Sequence, residues 1–103
     1  MIEQFNSKTF ADRLHNTFQV HVPEIGTVPI ELIEVTEYTD QPNLEQFLLI
    51  FRGPRSPWFP QQTHALEHES LGSFELFLSP IGPDEKGMRY QAIFNRFRKQ
   101  PLP

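Results

Sequence analysis

Apolar and polar positions alternate along much of this chain, and the stretch that breaks the alternation is Glu45-Gln46-Phe47-Leu48-Leu49-Ile50-Phe51-Arg52-Gly53-Pro54. Its odd positions (Phe47, Leu49, Phe51) and its even positions (Leu48, Ile50) are all apolar, so a strand built from it has two apolar faces. Such a strand needs cover on both sides and belongs in the middle of a sheet layer. The run is short for a helix and stops at Gly53-Pro54. It is expected to be the central strand of a small β domain.

The remaining elements follow in order. Asn6 or Ser7 can cap a short helix over residues 8–14, with Phe10 and Leu14 four apart on its apolar face, a lid for one end of a β core. Thr17 to Val22 alternates with Phe18, Val20 and Val22 inward, and Pro23 to Gly26 turns. Val28 to Tyr38 begins with Val28, Ile30 and Leu32 on one face and then shifts to Ile33 and Val35. That phase slip predicts a β-bulge or a bend between layers. On the same pattern Glu31 and Glu37 share a face and Glu34 takes the other. Residues 39–43 form a turn cluster.

After the central strand, Pro54, Pro57 and Pro60 exclude helix and a paired central strand, leaving a stiff loop that carries Trp58 and Phe59. Thr63 to His68 returns as a strand, and Ser70 to Gly72 turns. Phe74, Leu76 and Leu78 alternate against Glu75, Phe77 and Ser79. Residues 80–87 read as a loop. Met88 to Phe97 is the last strand, with Tyr90, Ala92 and Phe94 opposing Ile93 and Phe97. The sum is an all-β chain of about six antiparallel strands, in a small sandwich or barrel, with one short N-terminal helix. Residues 1–103 form a single β domain ending in a tail at 98–103.

Composition sharpens this picture in two places. Ten Phe beside two Tyr and one Trp supply much of the core that a 38% apolar content would otherwise leave thin. A net charge of -4 argues against nucleic acid and an anionic membrane as partners. The absence of Cys removes disulfides, thiol catalysis and cysteine-ligated zinc. The first residues carry no basic or apolar export pattern, which predicts a chain that is cytoplasmic as synthesised.

Phe51-Arg52-Gly53-Pro54, Phe59-Pro60-Gln61, Leu66-Glu67-His68, Leu71-Gly72, Phe74-Glu75-Leu76-Phe77-Leu78 and Tyr90-Gln91-Ala92-Ile93-Phe94-Asn95 form a recurring set. In order and spacing they resemble a family of bacterial proteins of about this size, known only as a domain of unknown function. The resemblance spans nearly the whole chain and is specific from Phe51 to Asn95. It implies a setting near phage-tail-collar-like fibre proteins, and it implies no catalytic residues. Two positions depart from the family pattern: His64 stands where Tyr is usual, and Trp58 lies outside the shared motif.

His64-Ala65-Leu66-Glu67-His68 spells the inverted zinc-protease motif, whose chemistry needs both His on one helical turn. Only Ala65, Leu66 and Leu71 could dock such a helix. In a strand the two His would stand roughly 13 Å apart, at ~3.3 Å per residue, too far for one metal. No metal and no cofactor are therefore expected. His68 is expected to end a strand and bond to a turn, while His15 and His21 read as surface residues. No phosphate loop, nucleophile elbow or triad appears, so no catalytic residue is assigned.

Four residues remain as binding candidates: Trp58, Phe59, Arg55 and Arg52. Arg52 should reach a rim and pair with a carboxylate, Glu67 or Glu75, unless it serves a partner. Phe59 lies in the family-like Phe-Pro-Gln and could instead plug the core. Trp58 on a stiff loop has the character of an interface hot spot. The expected role is a non-enzymatic interaction or structural accessory module, part of a fibre or phage-tail-like assembly, with a protein partner or a second copy. A small-ligand-binding barrel is the alternative, and a metal-dependent hydrolase ranks third.

Overall fold

The computed structural model describes residues 5–38 and 43–97. A short helix, α1 (Ser7–Ala11), precedes six strands: β1 (Thr17–Val22), β2 (Gly26–Glu37), β3 (Leu44–Gly53), β4 (Gln62–His68), β5 (Gly72–Pro83) and β6 (Met88–Phe97). They close into a barrel in the order β1-β2-β3-β6-β5-β4, and every neighbouring pair is antiparallel. Two three-stranded meanders, β1-β2-β3 and β4-β5-β6, thus join through their first strands and through their last. Among the described residues no helix is long and apolar enough to cross a membrane.

The central stretch occupies β3, between β2 and β6. Its inward residues Phe47, Leu49 and Phe51 are fully buried. The second apolar face is not the inside of a sandwich. Leu48 and Ile50 point out of the barrel, and Ile50 is shielded on its own sheet beside its cross-strand neighbours Glu34 and Gln91.

Rings fill the interior. Phe47 stacks on Phe94 with centroids 4.3 Å apart, and Phe18 meets Phe51 edge-on at 5.4 Å. Asn6 caps α1 through a reciprocal box with Thr9. The helix drives Phe10 into the α1 end of the barrel, where its ring touches those of Phe18, Phe47, Phe74 and Phe94. The helix stops at Ala11, short of the expected residue 14, and Leu14 is exposed. One apolar anchor therefore holds the lid.

The phase slip in the second strand is a β-bulge between Leu32 and Glu34. It changes the carboxylate reading. Glu31 pairs with Arg52 and Glu34 with Ile50, both outward positions, whereas Glu37 pairs with inward Phe47. Glu31 and Glu34 therefore share the outer face, and Glu37 takes the other. Half of the segment expected as a loop at 80–87, residues 80–83, is strand. β5 runs to Pro83, because a second irregularity between Pro80 and Gly82 lets the strand carry proline. The turn expected at 39–43 falls mostly outside the described residues, and the tail at 98–103 falls wholly outside them.

Phe51 is fully buried, edge-on against Phe18 inside the barrel. Phe51→Ala should lower the unfolding free energy by about 3–5 kcal/mol, measurable by denaturant titration monitored at Trp58.

Candidate functional site

β3 and β4 are not neighbours in the barrel, so the connection from Pro54 to Gln61 must cross its open end. The prolines keep this segment out of the ladders, and Phe59 fastens it. Phe59 is fully buried and stacks on Tyr90 at 4.0 Å with a 2° interplanar angle. Its backbone N–H donates to the Tyr90 hydroxyl at 3.1 Å. Burial pushes that hydroxyl above its ordinary titration range. Phe59 is thus a core plug and not a surface contact, which removes it from the binding candidates. Trp58, its neighbour, is 54% exposed.

His64 completes the plug. Its Nε2 donates to the Pro60 carbonyl at 2.8 Å, and its ring meets Phe59 edge-on at 4.6 Å. A carbonyl only accepts, so the neutral ring carries its proton on Nε2. The buried Nδ1 has no hydrogen-bond partner.

Arg52 and Arg55 converge on one residue, Asp84. Arg52 Nε and Nη2 reach Asp84 Oδ2 at 2.8 and 2.6 Å, and Arg55 Nη2 donates to the Asp84 carbonyl at 2.5 Å. Asp84 Oδ1 also accepts the backbone N–H of Lys86 at 2.9 Å and of Gly87 at 3.0 Å. These bonds, the Arg52 pairing foremost, hold the Asp84 carboxyl down at about 2. The anticipated partners of Arg52 were Glu67 or Glu75. Asp84 takes that place because the β5–β6 turn folds back over the end of β3, and Glu67 instead bonds His21 Nε2 at 2.9 Å. The turn approaches so closely that a Cβ on Gly87 would lie 2.1 Å from the Gly53 carbonyl oxygen. An open groove of about 330 Å³ runs beside the cluster, lined by Thr17, Pro29, Glu31, Arg52, Pro54 and Lys86. An anion entering it would compete with Asp84 for Arg52, so the cluster reads first as a clamp on the loop.

The two histidines of the zinc-like motif lie on one strand, both inward, with Leu66 between them and Glu67 on the outer face. Among the described residues no three His, Asp or Glu side chains gather into a group that could hold a metal ion. His68 bonds a turn, as the sequence suggested. Ser70 N–H donates to its Nδ1 at 3.0 Å, leaving Nε2 to donate to Asn16 Oδ1 at 2.9 Å. Burial, aided by Arg13 and opposed by Glu69, moves the His68 ring below its usual value.

Phe77, Ile81, Ile93 and Phe97 sit opposite the inward residues of their strands, and all four are exposed on the outside of β5 and β6. Ile93 pairs with outward, half-buried Leu48. Outward positions of β1 and β4 are Thr17, Gln19, His21, Thr63, Ala65 and Glu67. The outward apolar residues therefore gather on β3, β5 and β6, among polar ones such as Glu75 and Asn95.

Two pH effects follow from these groups. The depressed Asp84 contributes stability that is complete above about pH 4 and is lost as pH falls through about 2. Asp84→Asn should lower the melting temperature at pH 7, and its gap from the wild type should close between pH 4 and 2. Lowering the His68 pKa favours the neutral ring in the fold, so its contribution is complete above 6.5 and is lost as pH falls below that value. Melting curves from pH 8 to 5 should show a smaller loss for His68→Gln than for the wild type.

The quoted motifs lie on the parts of the barrel that hold it closed: Phe51 and Tyr90 in its wall, Phe59 at its end, Gly53 beneath the β5–β6 turn. No curated protein and no solved structure matches the chain. Residues 5–94 match the family described as a domain of unknown function (DUF6916), and the chain belongs to that family.

Proposed function

We propose that this protein is a non-enzymatic interaction module that works through its outer surface. The observation that carries this reading is the gathering of exposed Phe77, Ile81, Ile93 and Phe97 on the outside of β5 and β6, where Phe77 is 52% and Ile93 58% exposed. Clustered surface rings and aliphatics that cost stability in water are the mark of an association site. Trp58 adds a second contact, presented next to the anchored Phe59 on a loop clamped by Arg52 and Arg55, so its ordering on binding costs little. The filled interior supports this reading over a ligand-binding barrel, which would need a lined cavity. The pairing of Arg52, Arg55, His21 and His68 with structural partners supports it over a hydrolase. A fibre or tail-like assembly is the setting that the family resemblance suggests for such a module.

The test is affinity purification of the tagged full chain from cells that express it naturally, run alongside Trp58→Ala and Phe77→Ser. Trp58→Ala should weaken association with the recovered partner by about 2 kcal/mol or more, with the melting temperature of the free protein nearly unchanged. A marked loss of stability with association intact would overturn the assignment of Trp58 to an interface.

A further inference from the structure

Four of the five arginines among the described residues bond within the fold. Arg13 donates to Ser70 and to the Thr9 carbonyl, Arg52 and Arg55 hold Asp84, and Arg96 holds Glu45. Arg89 is the exception. It is half-buried on β6, and it makes no hydrogen bond or ion pair among the described residues. Its Nε is shielded from solvent and has no partner. A guanidinium in that state is costly, because it has lost part of its water and gained no anion.

Its neighbours do not relieve it. Arg89 alternates with inward Tyr90, so it faces out of the barrel. On β3 it stands opposite Arg52, a like charge whose own carboxylate, Asp84, is already engaged. On β5 it stands opposite Gly82, which has no side chain to reach it. A Cβ placed on Gly82 would meet nothing within 4 Å, so the surface beside it is open. The unpaired cation and the space next to it are separate observations, and both call for an anion from outside the chain.

The same strand defines the rest of the ligand. Its outward positions run Arg89, Gln91, Ile93. Gln91 lies between Ile50 and Ser79, a stretch without charge, and Ile93 is 58% exposed. Arg89 and Ile93 are roughly 13 Å apart along the strand, at ~3.3 Å per residue. An extended peptide has the same rise and the same two-residue alternation. An acidic residue and an apolar one four positions away in it therefore point to one side and can meet Arg89 and Ile93 together. A polyanion fits less well. Glu34 and Glu75 stand on the same outer wall, the chain carries a net charge of -4, and Arg89 is one guanidinium, not a basic stripe.

From this geometry we infer that the outer face of β6, from Arg89 to Ile93, binds an extended acidic segment of a partner protein. Arg89 takes its carboxylate, and Ile93 takes an apolar side chain four residues away. This rests on the interaction reading above and states the chemistry of the partner. Only side chains on the sheet face are used, so the ladders of β6 with β3 and β5 stay intact.

An array of randomised heptapeptides probed with the labelled full chain tests this while the partner is unidentified. Bound peptides should be enriched about tenfold in Asp or Glu four positions from Leu, Ile, Phe or Trp. Arg89→Gln should abolish the acidic preference and keep the apolar one, and Ile93→Ser should do the reverse. Arg89→Glu should turn the acidic preference into one for Lys or Arg. The Kd of the best peptide should rise about tenfold with Arg89→Gln. Because Arg89 has no bond in the fold to lose, the melting temperature of Arg89→Gln should be unchanged or higher. A marked fall in that temperature, an acidic preference that survives Arg89→Gln, or single-stranded DNA bound as tightly as the best peptide would overturn the inference. So would an array that captures nothing, including the case of a face covered by a second copy and seen as a dimer in sedimentation equilibrium. The Trp58→Ala comparison reads the natural partner through a different surface, so the interaction reading can stand where this one fails.

Discussion

A six-stranded barrel is narrow, and it is stable only if side chains fill it from wall to wall. In this protein the filling is aromatic. Phe18, Phe47, Phe51, Phe74, Tyr90 and Phe94 project inward from the strands, while Phe10 and Phe59 enter from opposite ends. The two end plugs arrive by different means. α1 delivers Phe10 on one capped helical turn, and the crossing from β3 to β4 delivers Phe59 on a segment that prolines keep from pairing. Because Phe59 must reach Tyr90, the loop is drawn across the barrel mouth and Trp58 is turned outward.

The polar groups are arranged around that filling. The Arg52–Asp84–Arg55 cluster ties the Pro-rich loop to the turn between β5 and β6, and His64 bonds the carbonyl of Pro60 beside the plug. At the α1 end Arg96 bonds Glu45 at 2.9 Å and reaches the Phe5 carbonyl, so one guanidinium joins β3, β6 and the N-terminal segment. Each end of the barrel thus has an aromatic plug and an arginine that holds the covering segment in place. Most of the arginines and histidines are thus engaged in holding the fold, which is why the reading of function moves to the surface.

The outer wall is the place where the structure carries more hydrophobicity than folding requires. β1 and β4 present polar residues to solvent, as strands with one buried face should. β3, β5 and β6 set apolar Leu48, Phe77, Ile93 and Phe97 among polar outward residues such as Glu75 and Asn95. Phe77, Ile81, Ile93 and Phe97 lie exposed together on the outside of β5 and β6.

Inward and outward positions were legible in the sequence wherever the alternation was clean. Phe18, Val20 and Val22, then Phe74, Leu76 and Leu78, are buried in the pattern that a two-residue period dictates. The slip after Leu32 announced its bulge, and Asn6 its cap. The all-β class follows from those local rules alone. The choice of a barrel over a sandwich did not, because an alternating strand reads the same in either, and only the pairing of β1 with β4 and of β3 with β6 closes the sheet. The doubly apolar β3 misled for the same reason: sequence shows that a face is apolar, not whether a second layer covers it. Asp84 as the partner of Arg52 and the joint burial of Phe59 and Tyr90 join residues about thirty apart in the chain. Such contacts are set by the register and curvature of the closed sheet, and no local pattern encodes them.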